Sequence, residues 1–342
     1  MLAKILKYHL FDHNQGNPPS LDGVDWNTLL VEAKNQAVEA LLYDAVRAGE
    51  MPLPREILFQ LSSHVATIET DNRKREEALC DLANLVTKES NLSLTVVKGS
   101  SLARLYPNPL HRECGDNDLY MGNEAPKLDL LVASHGLHVN LKDPRHSTFN
   151  FHGVVFENHA YLLYPHTPGD TSLEPKWEKE PHQEHIERLT PPYEALFVAA
   201  HMEHHAVFHN ECINLRKLID WSLLLGVLDY ESFNMVKQGT EMERFADLLT
   251  QYCIRLFGIP SPKGYRPLSE KSLEAFPHIY LYEQQRSSWA IVRVCRRSLK
   301  YIRYNKVYKE IYGQSPFRRF YFSNVGKAIK QLITGQKRTV RQ

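Results

Sequence analysis

Val96–Met121 reads VVKGSSLARLYPNPLHRECGDNDLYM, and the fold follows from how its two ends are read. At one end the apolar pair Val96-Val97 runs into Lys98-Gly99-Ser100, a β-rich segment closing on a turn. At the other, Asp116 and Asp118 flank a single residue and lead into alternating Leu119 and Met121. Strand side chains alternate with a period of two, so the two aspartates project from one face with Cα atoms roughly 6.6 Å apart. At an effective dielectric near 20, carboxylates at that separation repel by roughly 2.5 kcal/mol. Facing water, taking up a proton or holding a divalent cation relieves the repulsion, and the last is the informative option.

Working outward, residues 1–90 read as helical. Asp25 opens a segment with apolar positions at helical spacing (Leu29, Leu30, Ala33, Ala37, Leu41), Pro52 and Pro54 interrupt it, and Ile57 to Lys88 is one long helical pattern with a solvated charged middle. Downstream of the aspartates, Ala125 to His135 is amphipathic and ends on Gly136, a common helix-capping position. Ser147 to Leu163 alternates as a hairpin with His152-Gly153 at its turn. The stretch Pro165 to Pro192, rich in Pro, His and charge, reads as a connecting loop with a short helical piece. Helical patterns follow from Tyr193 to Phe257, and basic amphipathic ones over Leu268–Tyr312 and Phe317–Leu332.

The 342 residues allow two or three domains, and 43% hydrophobic with 24% charged residues is ordinary for a globular chain. No run approaches a membrane span, and the N-terminus lacks a signal-peptide core. Five dispersed cysteines without a CxxC pair indicate reduced thiols and a cytoplasmic setting, and exclude a zinc ribbon. Net charge is +1 but uneven: from Ile291 onward fourteen Lys/Arg face one acid, Glu310, leaving about −12 on the remainder. That basic tail either contacts an anionic partner or is a solvated helix that offsets the acidic body. Thirteen of seventeen histidines lie between His111 and His209, and His201, His205 and His209 share a helix face. Such a face can bind zinc, line a cleft or simply pack.

The motifs Val97-Lys98-Gly99-Ser100-Ser101-Leu102, Tyr106-Pro107, Arg112 and Asp116-Asn117-Asp118-Leu119 resemble the bacterial uncharacterised nucleotidyltransferase family, within the DNA polymerase beta-like superfamily. Gly153, Glu157 and His159 match that family's Gly-x-x-x-Glu-x-His pattern; Asn117 departs from it, standing where an aliphatic residue is usual. The resemblance implies an α+β fold: a helical region at 1–90, a small mixed-sheet catalytic core at 91–165, and a helical region with the basic tail at 166–342. It implies Mg²⁺, two ions with Mn²⁺ as a substitute, held by Asp116, Asp118 and Glu157. An NMP group would pass from an NTP, ATP included, to a hydroxyl on a sugar or small molecule, a protein or an RNA. An inactive nucleotide-binding or nucleic-acid-interacting regulator of the same fold is the alternative. By the same resemblance the Gly99 and Ser100 backbone faces the phosphates, Lys98 and Arg112 screen their charge, and His201 and His205 line the nucleotide cleft. Arg216 or Lys217 clamps the triphosphate, with Asp220 pairing one of them. Arg112 has a second reading, as a structural partner of Asp116.

Overall fold

The computed structural model describes residues 1–12, 17–48, 53–141, 146–163, 173–180, 183–209, 211–281 and 299–313. One mixed sheet of six strands, β1 (Leu94–Val97), β2 (Asn117–Tyr120), β3 (His146–Phe151), β4 (Val154–His159), β5 (Trp177–Glu180) and β6 (Gln183–Leu189), has the order β3-β4-β2-β1-β6-β5. β1 pairs antiparallel with β2 and parallel with β6, while β4 pairs parallel with β2 and antiparallel with β3. The β3–β4 turn forms where expected, with His152 (φ 50°) and Gly153 (φ 76°) both left-handed, as a tight hairpin requires. The loop reading of 165–192 is corrected: β5 and β6 lie inside it, and β6 is a fully paired neighbour of β1. Its composition misled because β5 is an edge strand whose side chains are largely exposed and polar.

The helices are α1 (Leu2–Lys7), α2 (Trp26–Asn35), α3 (Glu39–Ala48), α4 (Arg55–Ser90), α5 (Gly99–Ala103), α6 (Ala125–Ser134), α7 (Pro191–His204), α8 (Leu215–Leu225), α9 (Tyr230–Lys237), α10 (Met242–Phe257), α11 (Glu270–Phe276) and α12 (Asn305–Tyr312). The Asp25 carboxylate caps α2 by accepting from the Asn27 and Thr28 N–H groups. Two apolar cores flank the sheet. One face (Val96, Leu119, Phe149, Phe156, Ile186) packs on the second half of α4, through Ala78, Leu79, Leu82 and Val86, and on α6. The other face (Val97, Leu189) joins a larger core built from α1–α3 and α7–α12, so the N-terminal and C-terminal helices share one interior. The 36-residue α4 reaches both cores, with Ile57 and Leu61 in the larger one. Its charged middle is less passive than expected: Asn72 is buried there and donates to the Leu110 and Arg112 carbonyls at 2.7 and 2.9 Å. The region 317–332, read as a basic helix, lies outside the described residues.

Among the described residues no helix is long and apolar enough to cross a membrane. No disulfide joins Cys80, Cys114, Cys212 or Cys253.

Candidate active site

Strand register builds the site. Asp118 on β2 lies opposite Val97 of β1 on one side and Glu157 of β4 on the other, so the two carboxylates are direct neighbours on one sheet face. Asp118 is fully buried. Its Oδ1 accepts from the Lys98 ammonium at 2.7 Å and lies 3.2 Å from His159 Nε2. Its Oδ2 is buried without a hydrogen-bond partner. Burial alone would raise the Asp118 carboxyl, but Lys98 and His159 outweigh it and hold the group far below the usual carboxylate range. Lys98 also meets His201 Nε2 at 2.9 Å. Burial pulls the Lys98 ammonium down, yet Asp118, Asp116 and Glu157 together keep it above its ordinary value. Asp116 itself is half-buried and sits just before β2, which begins at Asn117.

The turn into α5 is held by a residue that sequence reading passed over. Lys98 has φ 58° and ψ −110°, a conformation costly for a side chain of its kind. The carboxylate of Glu194, in the first turn of α7, accepts the Lys98 N–H at 2.7 Å and the Ser101 hydroxyl at 3.2 Å, locking that geometry. Gly99 eases the close approach: a Cβ there would stand 3.3 Å from the Asp116 carbonyl oxygen, a tight contact. Burial pushes Glu194 up to about 7, against the hydrogen bonds from Lys98 and Ser101 and the charges of Arg104 and Arg188. Because the folded value lies above the unfolded one, near 4.5, this group favours the fold at low pH and loses that contribution as pH rises towards 7. Glu194→Gln is expected to flatten urea-midpoint stability over that window, removing a pH-dependent contribution on the order of 3 kcal/mol. An unchanged slope in the variant would refute the assignment.

Several expected residues have different employment. Asn117, the departure from the family pattern, is buried and satisfied: its Oδ1 accepts from Ser100 Oγ at 3.0 Å and its Nδ2 donates to the Arg75 carbonyl of α4 at 3.1 Å. The Ser100 hydroxyl is therefore spent on β2. The reading of Arg112 as a partner of Asp116 is corrected. It is 3% exposed and forks onto Asp220 of α8, with Nε and Nη2 at 2.7 and 2.8 Å from the two carboxylate oxygens. Asp220, not Asp116, is its carboxylate partner. Tyr106 donates to the same Asp220 at 2.6 Å, so Asp220 pairs Arg112 and Tyr106 and hydrogen-bonds neither Arg216 nor Lys217.

Arg216 donates through Nη1 to the Glu113 carbonyl. Lys217 is half-buried, its ammonium lowered to about 8 by burial and by the charge of Arg216. His201 and His205 stack at 4.1 Å, and His205 Nδ1 lies 2.7 Å from Glu211. Burial and the charge of Lys98 hold His201 well below its ordinary value, so it is a neutral imidazole at neutral pH. The side chain of His209 lies outside the described residues.

One donor atom each from Asp118, Glu157 and His201 lies within 4.8 Å of the others. An unpartnered buried carboxylate oxygen beside a second carboxylate fits a divalent cation, and the Lys98 ammonium stands where such a charge would be needed. No curated protein and no solved structure matches the chain. The model of the family described as uncharacterised nucleotidyltransferase matches residues 22–258, which takes in the whole sheet and the helices from α2 to α10. The chain belongs to that nucleotidyltransferase family and is a transferase of nucleotidyl groups.

Proposed function

We propose that the chain moves an NMP group from an NTP, ATP included, to a hydroxyl on a sugar or small molecule, a protein or an RNA, in the cytoplasm. Two Mg²⁺ ions, or Mn²⁺ in their place, would be held by Asp116, Asp118 and Glu157. The observation that carries this reading is the parallel register of Asp118 with Glu157, beside an Asp118 oxygen that has no other partner. Bound there, the cations would neutralise charge developing on the attacking hydroxyl and the departing pyrophosphate. We take the catalytic unit as Leu94 to Leu189, since β6 completes the sheet, with the remaining helices as its support.

The chain's own groups have distinct tasks. Glu157, half-buried and next to Asp118, accepts the proton of the attacking hydroxyl. The Gly99-Ser100 backbone lies against the β- and γ-phosphates, the Glu194 clamp fixing its direction. Lys98 fixes the Asp118 carboxylate through Oδ1, leaving Oδ2 to a cation, and its ammonium would add positive charge beside the triphosphate. Lys217 adds positive charge from α8, and neutral His201 with His205 forms a flat wall for the nucleotide. The basic tail, largely outside the described residues, would contact an anionic acceptor or surface.

The test is metal-dependent release of pyrophosphate from α-labelled NTPs with retention of label on the acceptor. Lys98→Ala should bind Mn²⁺ more tightly, having lost the competing ammonium, while raising the KM for NTP by about tenfold or more, the weight of one charge-assisted contact. Absence of pyrophosphate release with every NTP and acceptor class would sink the reading. So would a Lys98→Ala variant with unchanged affinity for both ligands.

A further inference from the structure

We propose that His146, Glu157 and His159 form a binding site for a first-row transition-metal ion of the Zn²⁺ or Mn²⁺ class. The site lies at the β3–β4 end of the sheet and differs in chemistry from an all-carboxylate Mg²⁺ site. Antiparallel register sets His146 directly opposite His159, and the period of β4 puts Glu157 on the same face. One ligand atom from each lies within 4.8 Å of the other two. His146 Nε2 is 3.5 Å from Glu157 Oε1, and His159 Nε2 is 3.7 Å from Glu157 Oε2.

Those separations bear on two readings. A charge-assisted hydrogen bond would close to about 2.7–2.9 Å. Two ligands of one tetrahedral ion, each about 2.1 Å from it, stand about 3.4 Å apart. The two His–Glu separations lie closer to that spacing than to a closed hydrogen bond. The imidazole rings, 4.9 Å apart and tilted by 44°, flank the carboxylate rather than stacking face to face. Two imidazoles and one carboxylate suit Zn²⁺ or Mn²⁺, whereas Mg²⁺ prefers an oxygen shell. Three protein ligands leave a position open for water or a substrate oxygen. His159 Nε2 also lies 3.2 Å from Asp118 Oδ1, a hydrogen bond it would give up to ligate an ion, so the ion sits at the edge of the transfer site and shares Glu157 with it.

The inference does not rest on the transfer reading, and its test separates the two. Binding of Zn²⁺, and of Mn²⁺ by its paramagnetic signal, is measured on the full chain in excess Mg²⁺ without nucleotide. One ion is expected to bind. His146→Ala should weaken it by about a hundredfold or more, since losing even an outer-shell partner of a metal ligand costs about 10–100-fold. His146→Gln, which keeps volume and polarity on β3, should show the same loss with an unchanged melting temperature. Asp116→Asn should keep the ion while losing transfer. The proposal is overturned if neither ion binds in excess Mg²⁺. It is equally overturned if affinity survives both His146 variants, or is lost only in His205→Ala, which would place the ion on α7.

Discussion

Asp118→Asn is expected to lower the rate of pyrophosphate release by about a thousandfold or more while the chain stays folded. The substitution keeps the shape and an acceptor oxygen for Lys98 and His159, which now share Oδ1 at 2.7 and 3.2 Å. What it removes is a full negative charge at a fully buried point and the carboxylate oxygen that has no protein partner. Electrostatic stabilisation of phosphoryl charge by a held cation supplies several kcal/mol, and about 4 kcal/mol corresponds to a thousandfold. Glu157→Gln should cost a similar factor, and the double variant little more than either single one, because groups acting on one ion are not additive. The measurement is the initial rate at saturating NTP and metal, with far-UV circular dichroism and the urea midpoint as folding controls. A rate within about tenfold of the parent, in a folded variant, would remove Asp118 from the chemistry.

Why this pair was legible while its supports were not has a physical basis. A strand alternates with a fixed period, so two aspartates before an apolar alternation already define a face, and the hairpin at His152-Gly153 carries its own turn chemistry. Glu157 then falls beside Asp118 through register, which a motif spacing can anticipate. Glu194 carries no such sign. An acid in the first turn of a helix after Pro191-Pro192 reads as an ordinary surface residue favoured by the helix dipole, and only the packing of α7 against the Lys98 turn buries it. Asn117 was noticed as a departure, but its two partners lie on α4 and α5, and no local pattern connects them. The carboxylate partner of Arg112 is hidden for the same reason in stronger form: Asp220 is 108 residues away. β6 is hidden because its neighbouring edge strand and the prolines around it look like a loop, while its parallel partner β1 and the cores that bury Ile186 and Leu189 are distant in sequence.

The buried Arg112–Asp220 fork yields the largest stability effect. Arg112 precedes β2 and is held from α4 through its own carbonyl, while Asp220 belongs to α8 and Tyr106 follows α5, so one ion pair joins the approach to β2 to both helical regions. Burial opposes the charged form of each group, but each partner's charge prevails, keeping Asp220 below and Arg112 above its ordinary value. Arg112→Ala leaves the Asp220 carboxylate buried with only Tyr106 to satisfy it, at a cost of about 3–5 kcal/mol. Against a typical total of about 5–15 kcal/mol, that is a large share of stability. A fall in the urea midpoint with unchanged slope is expected, and Asp220→Ala should match it. The pair Arg112→Met with Asp220→Leu should recover most of the loss, since an apolar replacement of a buried ion pair is often neutral or stabilising. The outcome also discriminates between roles. A phosphate-binding arginine would give Arg112→Ala a near-normal urea midpoint and a raised KM for NTP. The geometry instead demands the reverse, with the midpoint falling and the KM of the folded fraction close to that of the parent.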